Sequence, residues 1–117
     1  MALTLLLSFF IGAAAHAEPA DCLNGFWDFG PRTAVLLFQC HEDHNNKAVI
    51  MFCNRRKVIN KGFCLSPDSI PCEWKGDHWA CAEDHYSSTL RRLSPTTIRY
   101  KFRSLINSGT LQGELLQ

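Results

Sequence analysis

Short apolar or alternating runs return roughly every ten residues along this chain, each cut off by a cluster of Gly, Pro, Asn or Asp, which is the spacing of an antiparallel all-β domain. No run beyond the first seventeen residues holds a helical period. The pattern predicts strands over 25–30, 33–40, 47–53, 71–75, 77–82, 86–93, 97–104 and 109–115. The expected fold class is all-β: a small disulfide-stabilised antiparallel barrel or strongly curved meander sheet of about seven to eight short strands, with one irregular loop near 54–70. The stretch TTIRYKFRS alternates most cleanly, with Ile98, Tyr100 and Phe102 on one face and Arg99, Lys101 and Arg103 on the other. A hairpin over Ser94-Pro95-Thr96 then sets Leu90 against Tyr100 inside and Arg91 against Arg99 outside.

Residues 1–17, MALTLLLSFFIGAAAHA, run apolar from Ala2 to Ala15 and close on Ala15-His16-Ala17, the small-x-small pattern of a signal-peptidase site. No Lys or Arg precedes the apolar run, so the amino terminus alone supplies the positive charge that such signals carry. The run is too short to cross a bilayer as a stable helix. The expected organisation is a cleaved signal peptide, 1–17, followed by a single secreted β domain, 18–117, that is secreted or periplasmic and carries no transmembrane anchor.

All six cysteines, Cys22, Cys40, Cys53, Cys64, Cys72 and Cys81, fall in that domain. An even count in a short exported chain reads as a disulfide framework. At about 2 to 4 kcal/mol each, bridges supply a large share of a typical stability of about 5 to 15 kcal/mol. In CEWKGDHWAC a tight turn over Lys75-Gly76-Asp77-His78 sets Trp74 against Trp79 and Cys72 against Cys81. Neighbour logic then ties Cys53 to Cys64 and leaves Cys22 for Cys40, one of the fifteen connectivities that six cysteines allow.

Leu23-Asn24-Gly25-Phe26-Trp27 reads L-x-G-x-W, which resembles the opening strand of the calycins, the lipocalin and avidin type of up-and-down barrel. The resemblance covers five residues. It implies a barrel whose floor the Trp closes and whose interior takes an apolar or small ligand, and no binding residue is carried over from it.

CHEDH at 40–44 returns as CAEDH at 81–85, each copy where one predicted strand ends and the next begins. Asp and Asn suit such tips because they bond their own backbone and tolerate turn geometry. A duplication with a period of 41 residues is the alternative origin, although the flanking segments match poorly. The chemical reading is a zinc site: His41 and His44 form H-x-x-H, and His85 with Glu42 or Glu83 completes a tetrahedral set where the two tips meet. A second alternative is a small two-histidine phosphodiesterase, with His41 or His44 working with His85 or His78 and a cation from Arg91 or Lys101. Ser87 and Ser88 beside Asp84 and His85 lack the nucleophile-elbow motif of a hydrolase triad.

Twelve basic and eleven acidic side chains leave a net charge of +1, so the balance implies no obligatory nucleic acid or acidic membrane partner. Cations cluster locally nonetheless. Arg55, Arg56, Lys57 and Lys61 crowd the segment between Cys53 and Cys64, and Arg91, Arg99, Lys101 and Arg103 form an outward stripe. In the absence of a strong catalytic motif, the function expected is non-catalytic: a small exported disulfide-rich binding or inhibitory protein that recognises an anionic ligand or another protein through these cations. No cofactor is expected unless the zinc reading holds.

Overall fold

The computed structural model describes residues 19–54 and 69–116. Eight strands succeed one another: β1 (Gly25–Asp28), β2 (Val35–Cys40), β3 (Lys47–Cys53), β4 (Ile70–Trp74), β5 (Trp79–Glu83), β6 (Tyr86–Ser94), β7 (Thr97–Ser104) and β8 (Ser108–Leu115). Each pairs antiparallel with the next, and β8 returns to β1 to close a barrel. All eight expected strands form, with ends displaced by no more than two residues. No described residue is helical, so none of them belongs to a helix long and apolar enough to cross a membrane.

The period-two alternation becomes an inside and an outside. Trp27 faces Leu36, Phe38 faces Ile50, Ile50 faces Ile70, Trp79 faces Leu90, and Leu90 faces Tyr100, all of them buried. The two buried indoles are the largest contributors, each worth roughly 150–250 Å² of surface withdrawn from water. β2 is the exception to alternation. Leu36 and Phe38 fill the barrel, while Val35 on the outer face is also fully buried, in a second cluster with Cys53, Phe26, Leu37 and Leu116. Burial on both faces accounts for the unbroken apolar run VLLF.

Turn chemistry fixes the register. Gly76, at φ 98°, lets the chain reverse so that the Lys75 N–H donates to the His78 carbonyl at 2.9 Å. Trp74 then faces Trp79, and Cys72 faces Cys81 across the strands. That pair forms a disulfide inside the barrel, and Cys22 is bonded to Cys40, both as expected from neighbour spacing. Cys53 is also disulfide-bonded, but its expected partner Cys64 lies outside the described residues. The β5–β6 hairpin turns on Asp84-His85, with His85 in the left-handed region at φ 63°, a conformation His tolerates better than most side chains.

The segment before β1 closes one end of the barrel. The Trp79 indole N–H donates to the Asp21 carbonyl at 2.7 Å, and that of Trp27 to the Leu23 carbonyl at 2.8 Å. Arg92 holds the same segment, its Nε 2.8 Å from Asp21 Oδ2 and its other nitrogens on the carbonyls of Cys22 and Pro95. Trp27 therefore sits at the barrel floor.

Gly113 is required on β8 because the Phe29 ring, turned inward after β1, lies where a side chain would be. A Cβ there would meet a Phe29 ring carbon at 2.5 Å, and that ring also packs on Tyr100 with centroids 5.1 Å apart. Gly113→Ala should lower the unfolding free energy by about 1 to 3 kcal/mol in chemical denaturation. Gly109→Ala, where the nearest Phe102 atom is 3.2 Å away, should cost less. Equal stability for wild type and Gly113→Ala would show that Phe29 does not hold this place.

Candidate functional site

Strand parity decides where the twin motifs lie. In an up-and-down barrel, successive hairpins alternate ends, and three strands, β3, β4 and β5, separate the turn after Cys40 from the turn after Glu83. His41 and His44 therefore sit at the floor end, with ring centroids 5.1 Å apart, and His85 sits at the opposite end. The structure brings together two of the three histidines of the zinc reading and leaves the third a barrel length away. Among the described residues no three His, Cys, Asp or Glu side chains converge. The same parity separates His85 from His41 and His44 as a two-histidine acid–base pair. His78 shares their end, where its Nδ1 is hydrogen-bonded to Asp77.

The cationic stripe is assembled by register. Arg91 faces Arg99, Thr89 faces Lys101, and Ser87 faces Arg103 across β6–β7, while Gln112, Thr110 and Ser108 flank the same three β7 cations on β8. Arg91 is neutralised: its guanidinium lies 3.0 Å from Asp77 Oδ2 in the β4–β5 turn. The Asp77 carboxyl titrates below the usual carboxylate range, first because His78 is hydrogen-bonded to it and further because His78 and Arg91 are cationic neighbours. Arg99, Lys101 and Arg103 are exposed, and none forms an ion pair with a described residue. The site thus reduces to a column of three cations: Lys101 and Arg103 have hydroxyl side chains on both sides, and Arg99 lies between Gln112 and the Asp77-paired Arg91. The other expected group, Arg55, Arg56, Lys57 and Lys61, lies outside the described residues.

Beside this column the outer wall is hollowed. Ala80, Ala82, Ser87 and Thr89 floor a depression of about 740 Å³ against Lys101 and Arg103. A second hollow, of about 410 Å³, continues from the same two alanines toward Lys47, Lys75 and His41. Sequence reasoning did not single out Lys47, Lys75 or the alanines, because they come from separate strands. The one available signal was the small-residue run along the outer faces of β5 and β6, flanked by strands with long side chains.

Inside the barrel lies a polar chain that was likewise not anticipated. The hydroxyls of Tyr86 and Tyr100 are 2.7 Å apart, and Tyr86 also donates to Ser88 Oγ at 2.8 Å. These bonds satisfy Ser88, the one buried residue of polar type among the described residues.

No family model matches the chain, and no curated protein or solved structure matches it either.

Burial raises both phenols, Tyr100 furthest because its bond to Tyr86 adds to the effect, and for Tyr86 the bonds to Ser88 and Tyr100 only partly offset it. A phenol whose folded pKa lies above its unfolded value contributes stability that is fully present below the unfolded pKa of 10.0 and is lost as pH rises through the folded one. The chain has two tyrosines, and these are both of them. In an alkaline titration, phenolate absorbance should therefore appear only above the ordinary range and together with loss of the near-ultraviolet circular dichroism. Half-titration near pH 10 with the dichroism intact would contradict the burial of this pair.

Proposed function

We propose that this chain is a non-catalytic binding or inhibitory protein, exported and disulfide-stabilised, that takes an anionic partner on the outer face of β7. The observation that carries the reading is the column Arg99, Lys101 and Arg103, exposed, aligned on one strand face and without an ion-pair partner among the described residues. Successive outward residues on a strand are about 6.8 Å apart, so each neighbouring pair of cations repels by roughly 0.6 kcal/mol in water before salt screening. A single interposed carboxylate would remove that repulsion, as Asp77 does for Arg91. Lys101 and Arg103 have hydroxyls in those flanking places, and Arg99 has the Gln112 amide on one side and Arg91 on the other; the hydroxyls and the amide hydrogen-bond an incoming anion without neutralising the cations.

Export is supported by the apolar leader with its Ala-His-Ala close and by disulfides that an oxidising compartment maintains. The binding reading is preferred over catalysis because, among the described residues, no hydrogen bond joins a histidine or carboxylate to a hydroxyl beside the column. For the zinc reading, the His41–His44 pair remains as a two-ligand fragment with Glu42 beside it in sequence.

Replacing Arg99, Lys101 and Arg103 together with Gln should abolish retention on a sulfated matrix at low salt, with thermal unfolding unchanged. Replacing Arg55, Arg56 and Lys57 with Gln removes the same charge and should leave most of the retention. Full retention by the β7 variant would overturn the proposal, and loss confined to the 55–57 variant would move the site to that segment.

A further inference from the structure

We infer that the ligand of this face is a linear polysaccharide bearing sulfate or carboxylate groups, lying in the depression that crosses β5 and β6. The inference rests on the anion-binding reading and adds the shape and chemistry of the ligand. Its starting point is continuity: the two outer hollows share Ala80 and Ala82, so they form one trough running obliquely over the barrel wall. At the floor end it is bordered by Lys47 and Lys75, and toward the opposite end by Lys101 and Arg103. From Lys47 on β3 to Lys101 and Arg103 on β7 is four interstrand steps, about 19 Å along the sheet at the usual spacing. A single small anion cannot engage cations at both ends of such a trough. An elongated ligand with repeated anionic groups can.

The floor restricts the chemistry further. Between the two groups of cations stand the methyls of Ala80 and Ala82 and the hydroxyls of Ser87 and Thr89, all neutral and short. They leave room for a polymer backbone and offer hydrogen bonds to sugar oxygens. Nonspecific single-strand nucleic acid binding relies on aromatic platforms for the bases. The outward positions of β5 to β8, occupied by Ala, Ser, Thr, Arg, Leu, Lys, Gln and Glu, carry no aromatic ring; of the rings that border the trough, Phe102 faces into the barrel and His41 stands at its floor end. An acidic peptide would dock most readily by adding a strand to a sheet edge, but every strand that floors or walls this trough is already hydrogen-bonded on both sides. One carboxylate, Glu73, lies within the trough, 3.7 Å from Lys75, and it sets a partial charge balance at that end.

The test measures binding of sulfated oligosaccharides of increasing length, a polyuronate, neutral dextran, single-stranded DNA and inorganic sulfate by calorimetry. The variants are Ala82→Tyr, which fills the trough without changing charge, and Lys47→Gln with Lys75→Gln, which strips the far wall. Affinity should rise with oligosaccharide length and then level off. Ala82→Tyr should weaken the longer chains about tenfold or more, a loss of roughly 1.4 kcal/mol, while leaving inorganic sulfate unaffected. If Ala82→Tyr disturbs folding, Ala80→Tyr on the same strand fills the same hollow. Equal binding of long chains by wild type and the filled variants would overturn the trough while leaving the β7 anion site standing. Tighter binding of single-stranded DNA than of any glycan would overturn the choice of polymer. Failure of every anion to bind would instead remove the anion-binding reading itself, and the trough with it.

Discussion

Closure of the sheet is the constraint on which the rest of the molecule depends, and it is made by a short seam. β1 and β8 meet over two residue pairs, Trp27 with Leu115 and Asp28 with Glu114. So brief a ladder is a weak closure by itself, and the structure reinforces it from below. The segment before β1 is held under the barrel by the indoles of Trp27 and Trp79, by Arg92 reaching Asp21, and by the Cys22–Cys40 bridge. The Arg92–Asp21 pair is partly buried and shares its guanidinium with two carbonyls, so it resists screening better than an exposed ion pair would. The Leu116 N–H donating to the Phe26 carbonyl at 2.9 Å extends the seam by one bond.

Once the meander closes, geometry assigns ends and faces without further choice. Hairpin parity sends the two Glu-Asp-His tips to opposite ends, and they turn the chain differently: Asp84-His85 is a two-residue turn with His85 at φ 63°, whereas six residues, 41–46, join β2 to β3. Register across β6, β7 and β8 places Arg99, Lys101 and Arg103 in one outward column, while Tyr100 and Phe102 between them stack inward with centroids 5.3 Å apart. A slip of one residue would bury the cations and expose the rings, so core packing and the charged face are specified by the same pairing. Asp77 divides the stripe, because the β4–β5 turn stands close enough to β6 to capture Arg91 and leave the β7 column to solvent.

Much of this was legible in the residues, and the part that was not has identifiable causes. TTIRYKFRS disclosed both its faces because alternation is local, and CEWKGDHWAC disclosed its hairpin and its bridge because two Trp and two Cys stand symmetrically about a Gly turn. The Arg91–Arg99 and Leu90–Tyr100 pairs followed from a turn at Pro95. The ends of β1 and β2 were placed two residues off because Phe29 leaves the strand to pack inside, where Asp28 caps the turn by accepting from the Gly30 N–H at 3.0 Å. The separation of His41 from His85 needed a strand count and a closed meander, neither of which a local motif carries. The trough was illegible because its walls come from β3, β4 and β7 and only its floor is contiguous. The Arg92–Asp21 contact spans 71 positions and has no local signal at all.

The central functional claim is that the three exposed cations on β7 are the contact with an anionic ligand. The salt dependence of binding tests it most directly, since each cation that displaces a counterion from a polyanion adds about one unit to the slope of log affinity against log salt. For the wild-type protein and a sulfated polysaccharide the account predicts a steep negative slope. Changing Arg99, Lys101 and Arg103 to Gln one at a time should reduce it by about one each, and Arg91→Gln should change it less because Asp77 already holds that charge. A slope unchanged by all three β7 substitutions would contradict the account.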